Sequence, residues 1–270
     1  DGSNQRLDAL CDRSLGDLAE DVEQTTRQIV ADVRRRGDEA LLDYTRQFDC
    51  EDFTAEDLVV DGAEIEAAYE GVCPEWIGAF RRARENVLSY QQRLLQNSWL
   101  DEFEGVFLGQ RIRPVASAGA YIPAGSAPLP SSVCMTIIPA KAAGVPRTII
   151  TSPPRADGSV HPTMAVAAAE CGVDEFYRVG GAHAVAAFAY GTETIDPVDV
   201  IVGPGNPYVV MAKKMVFGDV NIEALPGPSE SVIITDGSVK VRLIAADLLT
   251  QAEHTGDNLA IMITDDEECA

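Results

Sequence analysis

The chain has 270 residues, with 43 Asp plus Glu against 21 Lys plus Arg, a net charge of −22 and 46% apolar side chains. That balance excludes the basic face of a nucleic-acid binder, no apolar run reaches the ~18–20 residues of a membrane span, and residues 1–6 lack the apolar centre of a signal peptide. The length suits about two domains of ~100–200 residues each, and the expectation is an acidic globular protein of the cytoplasm.

Only Lys141, Lys213, Lys214 and Lys240 among the basic residues are lysine. The acid excess fits a protein kept solvated in salt; the arginine bias fits a GC-rich coding sequence equally well. The six cysteines are scattered with no CxxC pair, so neither a zinc ribbon nor a disulfide framework is indicated. The chain starts at Asp1, and its last residues are an acidic cluster after the apolar run 259–263. Acidic residues after a strand read as the start of a helix, so a piece of a longer chain is expected.

Apolar residues at helical spacing run from Leu18 to Tyr44 and are interrupted by Gly37, which predicts two helices. Asp61 caps a short helix through Tyr69, and Pro74 opens a long one to about Gln96. Arg81, Arg82 and Arg84 on that helix read as a solvated face. Residues 106–108 and 112–118 look like strands. Beyond Tyr121, strands at 148–151, 175–179, 199–202, 232–234 and 259–263 alternate with helices at 131–143, 161–171, 206–216 and 239–252. Repeated units of this kind predict an α/β fold with a parallel sheet covered on both faces.

Three strand-to-helix junctions are rich in glycine: Tyr121-Ile122-Pro123-Ala124-Gly125, Val179-Gly180-Gly181-Ala182-His183 and Gly203-Pro204-Gly205-Asn206. Glycine lets backbone approach a ligand, and a helix N-terminus offers unpaired N–H groups to anions. Ligands of open α/β sheets bind off the carboxyl ends of the strands. The three loops together therefore point to a dinucleotide or phosphate site, although none matches GxGxxG. The same loops predict that Tyr121, Gly180-Gly181, His183 and Asn206 line one crevice. Gln251 and His254, three apart at a helix end, share one face; the pair suits either a helix cap or a shared metal ion. Cys134 and Cys171 read as buried thiols.

These segments resemble histidinol dehydrogenase. The match runs in family order through Arg113-Pro114-Val115-Ala116-Ser117-Ala118-Gly119-Ala120-Tyr121-Ile122-Pro123, the two later glycine loops, Ala189-Tyr190-Gly191-Thr192-Glu193, Gly227-Pro228-Ser229-Glu230 and Asp247-Leu248-Leu249-Thr250-Gln251-Ala252-Glu253-His254. The family's fold implies incomplete Rossmann-like parallel sheets with flanking helices, preceded by an N-terminal helical segment. The expected division is 1–120 for that segment and the first part of an α/β domain, 121–227 for a Rossmann-like domain with the glycine loops, and 228–270 for a return to the first.

The resemblance further implies oxidation of L-histidinol to L-histidine through the aldehyde, with two NAD⁺ reduced, by a zinc-dependent homodimer. Tyr121, His183 and Asn206 would contact NAD, although the family pattern has Gln where this chain has His183. Ser229, Gln251 and His254 would contact the substrate, and Gln251 and His254 would bind zinc. The family's catalytic Glu-His pair and its two other zinc ligands fall beyond Ala270. Two other readings stand beside this one: a paralogue that oxidises another small alcohol such as a sulfonated diol, and a catalytically silent fragment.

Overall fold

A computed structural model describes residues 16–124, 127–225, 229–252, 258–267 and 269–270. They form two compact units, residues 1–225 and 226–270. The expected break after residue 120 falls at the end of a strand in the first unit, and the expected break after 227 lies two residues from the division between the units. Among the described residues no helix is long and apolar enough to cross a membrane.

The first unit opens with helices α1 (Gly16–Arg36) and α2 (Asp38–Phe48). Gly37 separates them at φ +58, and the Glu193 carboxylate takes the space that a Cβ would need there. That carboxylate also accepts the Asp38 N–H at 2.7 Å. Helix α3 (Gly62–Ala68) is capped by the Asp61 side chain, which accepts the Glu64 N–H, and α4 (Pro74–Leu94) carries Pro74 in its first turn. The arginine face of α4 is not simply solvated. Arg81 makes a two-point contact with Glu170 at 2.9 and 2.6 Å, and Arg84 donates to the Glu170 carbonyl.

A hairpin of β1 (Trp99–Phe103) and β2 (Val106–Gln110) follows, every residue of it exposed. Strand β3 (Ser117–Tyr121) begins five residues later than expected, and 112–116 is not a strand. Pro114 has no N–H to give a ladder, whereas the Ser117 N–H is taken by the Asp199 carboxylate at 2.8 Å. Then come α5 (Pro130–Ala142), β4 (Arg147–Thr151), α6 (Pro162–Cys171), β5 (Glu175–Tyr177), α7 (Gly181–Tyr190), β6 (Val200–Val202), α8 (Pro207–Val216) and β7 (Asn221–Ile222). His161 caps α6 through its ring, and Gly172 ends it in the left-handed conformation.

The five strands β3 to β7 form one parallel sheet in the order β5-β4-β3-β6-β7. Buried residues of α1, α2, α7 and α8, among them Val33, Leu41, Phe188 and Val209, form one core with Tyr121, Ile149 and Ile201. Residues of α4, α5 and α6, including Phe80, Ile137 and Met164, form the other with Ala120, Ile122 and Ile150. Consecutive residues of β3 and β4 thus point into opposite cores, as a sheet buried on both faces requires. Cys134 and Cys171 lie in the second core, free and buried.

The second unit is one β-α-β turn: β8 (Glu230–Thr235), α9 (Val241–Ala252) and β9 (Leu259–Thr264), with the strands parallel and Val232 opposite Ile261. Ile244 of α9 is buried, while Val232, Ile234 and Ile263 are exposed.

Candidate active site

The chain runs from β3 outward to β4 and β5, then returns to the other side of β3 for β6 and β7. The reversal places the switch point between β3 and β6, where open α/β sheets bind ligands. Tyr121 ends β3 at this point and is 4% exposed. Its hydroxyl accepts the Gly181 N–H at 3.3 Å. Burial pushes the Tyr121 phenol up to about 12, with the nearby Asp49 carboxylate adding to the effect. The ring therefore stays neutral at pH 7 and keeps its own O–H to donate.

On the β6 side, Gly203 lies against the Tyr121 backbone. A Cβ at Gly203 would sit 2.1 Å from the Tyr121 carbonyl oxygen, and its φ is +109. The neighbouring strand alone thus demands glycine here, whatever ligand the loop meets. Asn206 caps α8: its Oδ1 accepts the Val209 N–H at 3.1 Å. The side chain is exposed, and its amide N–H groups remain to donate. Tyr121 thus meets both the Gly181 loop and the Gly203 loop.

His183 is placed differently within the same region. It lies in the first turn of α7, is 1% exposed, and its ring centroid stands 5.8 Å from Tyr44 and 6.3 Å from Phe48 of α2. Its Nε2 is 3.5 Å from Thr45 Oγ1, and its Nδ1 has no partner among the described residues. Burial holds its pKa down at about 3, so the ring is neutral at pH 7. The imidazole faces α2.

A cleft of about 480 Å³ opens where β3, β4 and α2 end, lined by Phe48, Asp49, Ser152, Pro153, His161 and Met164 among others. Asp49 brings a carboxylate to it, and burial pushes that group up to about 6. Gly180 borders the same place: a Cβ there would lie 2.7 Å from Pro153 Cβ and 3.3 Å from Asp49 Oδ2. Sequence reasoning missed Asp49, because an aspartate just past a helix end carries no spacing signal.

In the second unit, the Ser229 N–H donates to Asn258 Oδ1 at 2.9 Å, and its carbonyl accepts from Gln251 Nε2 at 3.3 Å. Two expected substrate residues therefore touch. His254 lies outside the described residues. Among the described residues no group of three or more His, Cys, Asp or Glu side chains is placed to hold a metal. Zinc takes about four ligands, so the described donors alone do not complete a zinc site.

A parallel sheet of this strand order, covered on both faces, with glycine loops at its switch point, defines a Rossmann-like α/β architecture. The sequence pattern of histidinol dehydrogenase matches residues 13–270. The chain is 49% identical over 265 residues to a histidinol dehydrogenase of Synechococcus sp., covering 98% of this chain and 61% of that protein. It is 45% identical to one of Bacillus subtilis, covering 94% and 59%. A crystal structure of histidinol dehydrogenase from Elizabethkingia anophelis superposes with a TM-score of 0.87 at 38% identity, covering 93% of this chain and 58% of that one. The chain belongs to the histidinol dehydrogenase family. It spans about three fifths of the length of these relatives.

Proposed function

We propose that the whole protein oxidises L-histidinol to L-histidine with NAD⁺, as the last step of histidine biosynthesis, and that zinc assists it. The observation that carries the reading is the convergence at the switch point, where Tyr121 bonds Gly181 and packs on Gly203, three residues before Asn206. Bound there, NAD⁺ would accept the hydride from the alcohol carbon. Tyr121 would donate its free O–H to the cofactor, and Asn206 its amide N–H groups, each held in place by a bond already made to backbone. A cofactor contact at His183 requires the imidazole to turn away from Tyr44 and Phe48. Asp49 adds an acceptor suited to hydroxyl groups.

Ser229 and Gln251 would hold the substrate, with Gln251 and His254 as zinc ligands. Their support is the Gln251–Ser229 contact and the family match. The base that takes the hydroxyl proton is not assigned to any described residue, so the 270-residue chain alone is expected to be catalytically silent. We read the protein as a cytoplasmic homodimer. The β1–β2 hairpin supports association, since Leu100, Phe103 and Phe107 are 70%, 70% and 67% exposed and such apolar patches mark contact surfaces.

The test is NADH formation by the full-length protein with L-histidinol and with other small alcohols, before and after a chelator. Turnover of histidinol that the chelator abolishes supports the proposal. Turnover of a sulfonated diol but not of histidinol would transfer the protein to the paralogue reading.

A further inference from the structure

Lys213, on α8, is fully buried, yet it carries an ammonium group. Its three N–H donors are all used. Its Nζ lies 2.7 Å from each Glu223 oxygen and 3.1 Å from the Gly203 carbonyl. Glu223, directly after β7, also accepts the Gly203 N–H through Oε1 at 2.7 Å. Both polar backbone groups of one glycine are therefore held by one ion pair. Helical side chains lean toward the helix N-terminus, which is how Lys213 reaches a loop ten residues upstream.

Stability alone is a poor reason for this arrangement. A buried ion pair loses so much hydration that apolar side chains of similar volume often serve as well or better. What the pair adds is a fixed position. Gly203 cannot move toward β3, because the Tyr121 carbonyl already fills the space beside its Cα. It cannot move away without breaking bonds to Lys213 and Glu223. The next polar side chain along the loop is Asn206, whose Oδ1 is committed to the N-terminus of the same helix that carries Lys213.

We propose that Lys213 and Glu223 are positioning residues: they lock the Gly203–Asn206 loop in the conformation that presents the Asn206 amide to the cofactor. The inference rests on the NAD reading of the switch point. It extends that reading to a lysine that is fully buried among its three acceptors and to the glutamate that holds both it and the Gly203 N–H.

The test uses the full-length protein and the double variant Lys213→Met/Glu223→Gln. This change removes both charges together and leaves an acceptor for the Gly203 N–H, so no unpaired buried charge remains. With the lysine bond to the Gly203 carbonyl gone, the NAD⁺ KM is expected to rise about tenfold, the equivalent of one lost backbone hydrogen bond, while the histidinol KM and kcat stay within about twofold. Lys213→Met alone, which leaves Glu223 partly in water, is the second variant and decides by the same ratio if the double variant does not fold. An unchanged NAD⁺ KM together with a lowered melting temperature would overturn the inference and make the pair purely structural. Wild-type protein that fails to bind or reduce NAD⁺ would overturn the NAD reading and the inference together.

Discussion

The Tyr121 hydroxyl accepts the Gly181 N–H at 3.3 Å across the end of β4. One bond thereby joins the end of β3 to the start of α7, which follows β5 two strands away. Tyr121→Phe removes the acceptor and strands the Gly181 N–H. The expected result is a stability loss of about 1 kcal/mol and a several-fold higher NAD⁺ KM. Chemical denaturation and steady-state kinetics on the full-length variant measure both.

Gly203 combines a positive φ with a 2.1 Å approach of the Tyr121 carbonyl to its missing Cβ. Gly203→Ala is therefore expected to cost about 3 kcal/mol or more, since backbone strain and overpacking act together. Gly62→Ala, where nothing lies within 4 Å of the added carbon, is the control and should leave stability nearly unchanged. The comparison is read from thermal melts.

His183 links the fold to pH. Its folded pKa is about 3 against an ordinary 6.5, because burial excludes the charged form. Above pH 6.5 both folded and unfolded states are neutral here, and the stability is fully present. As pH falls from 6.5 toward 3 the unfolded state takes up the proton first, and stability drops by roughly 1.4 kcal/mol per pH unit. His183→Gln should flatten this part of the curve. Urea midpoints between pH 4 and 7 check it.

Asp49 acts in the opposite sense. Its folded pKa is raised to about 6 by burial, so its contribution is fully present below about pH 4 and is lost as pH rises through 6. Asp49→Asn is expected to make the protein more stable at pH 7 by on the order of 1–2 kcal/mol, discounting for water at the cleft, and to change little at pH 4. The same urea midpoints measured at both pH values give the answer.

Much of the fold was legible because single residues dictate local geometry. Gly37 separates two helices, Asp61 caps one and Pro74 starts another, each by its own backbone chemistry. The strand-to-helix alternation that defines the sheet was legible for the same reason. The hairpin was half seen: residues 106–108 of Val106–Gln110 read as a strand, but Trp99–Phe103 faces water throughout and shows no buried alternation. Its turn uses Glu104-Gly105, both at positive φ, instead of the Asn-Gly that signals such turns. Strand β7 has only two residues, too few for any period.

The candidate site divides in the same way. The glycine loops announced the switch point, since glycine is a local requirement. What holds them did not appear, because those contacts join distant residues: Lys213 with Glu223, and Asp49 with the Gly180 loop. Arg81 was misread for that reason too, as its partner Glu170 lies on α6. The burial of His183 came from Tyr44 and Phe48 of α2, which no spacing near position 183 could reveal.

The proposed function makes this chain the cofactor side of a two-step histidinol oxidation. Its most direct test is the stoichiometry of NADH to histidine formed by the full-length protein from L-histidinol, with Asn206→Ala beside the wild type. The account predicts two NADH for each histidine, and an NAD⁺ KM raised at least several-fold in the variant. One NADH per substrate with the aldehyde as end product, or an Asn206→Ala variant with unchanged NAD⁺ KM, would contradict it.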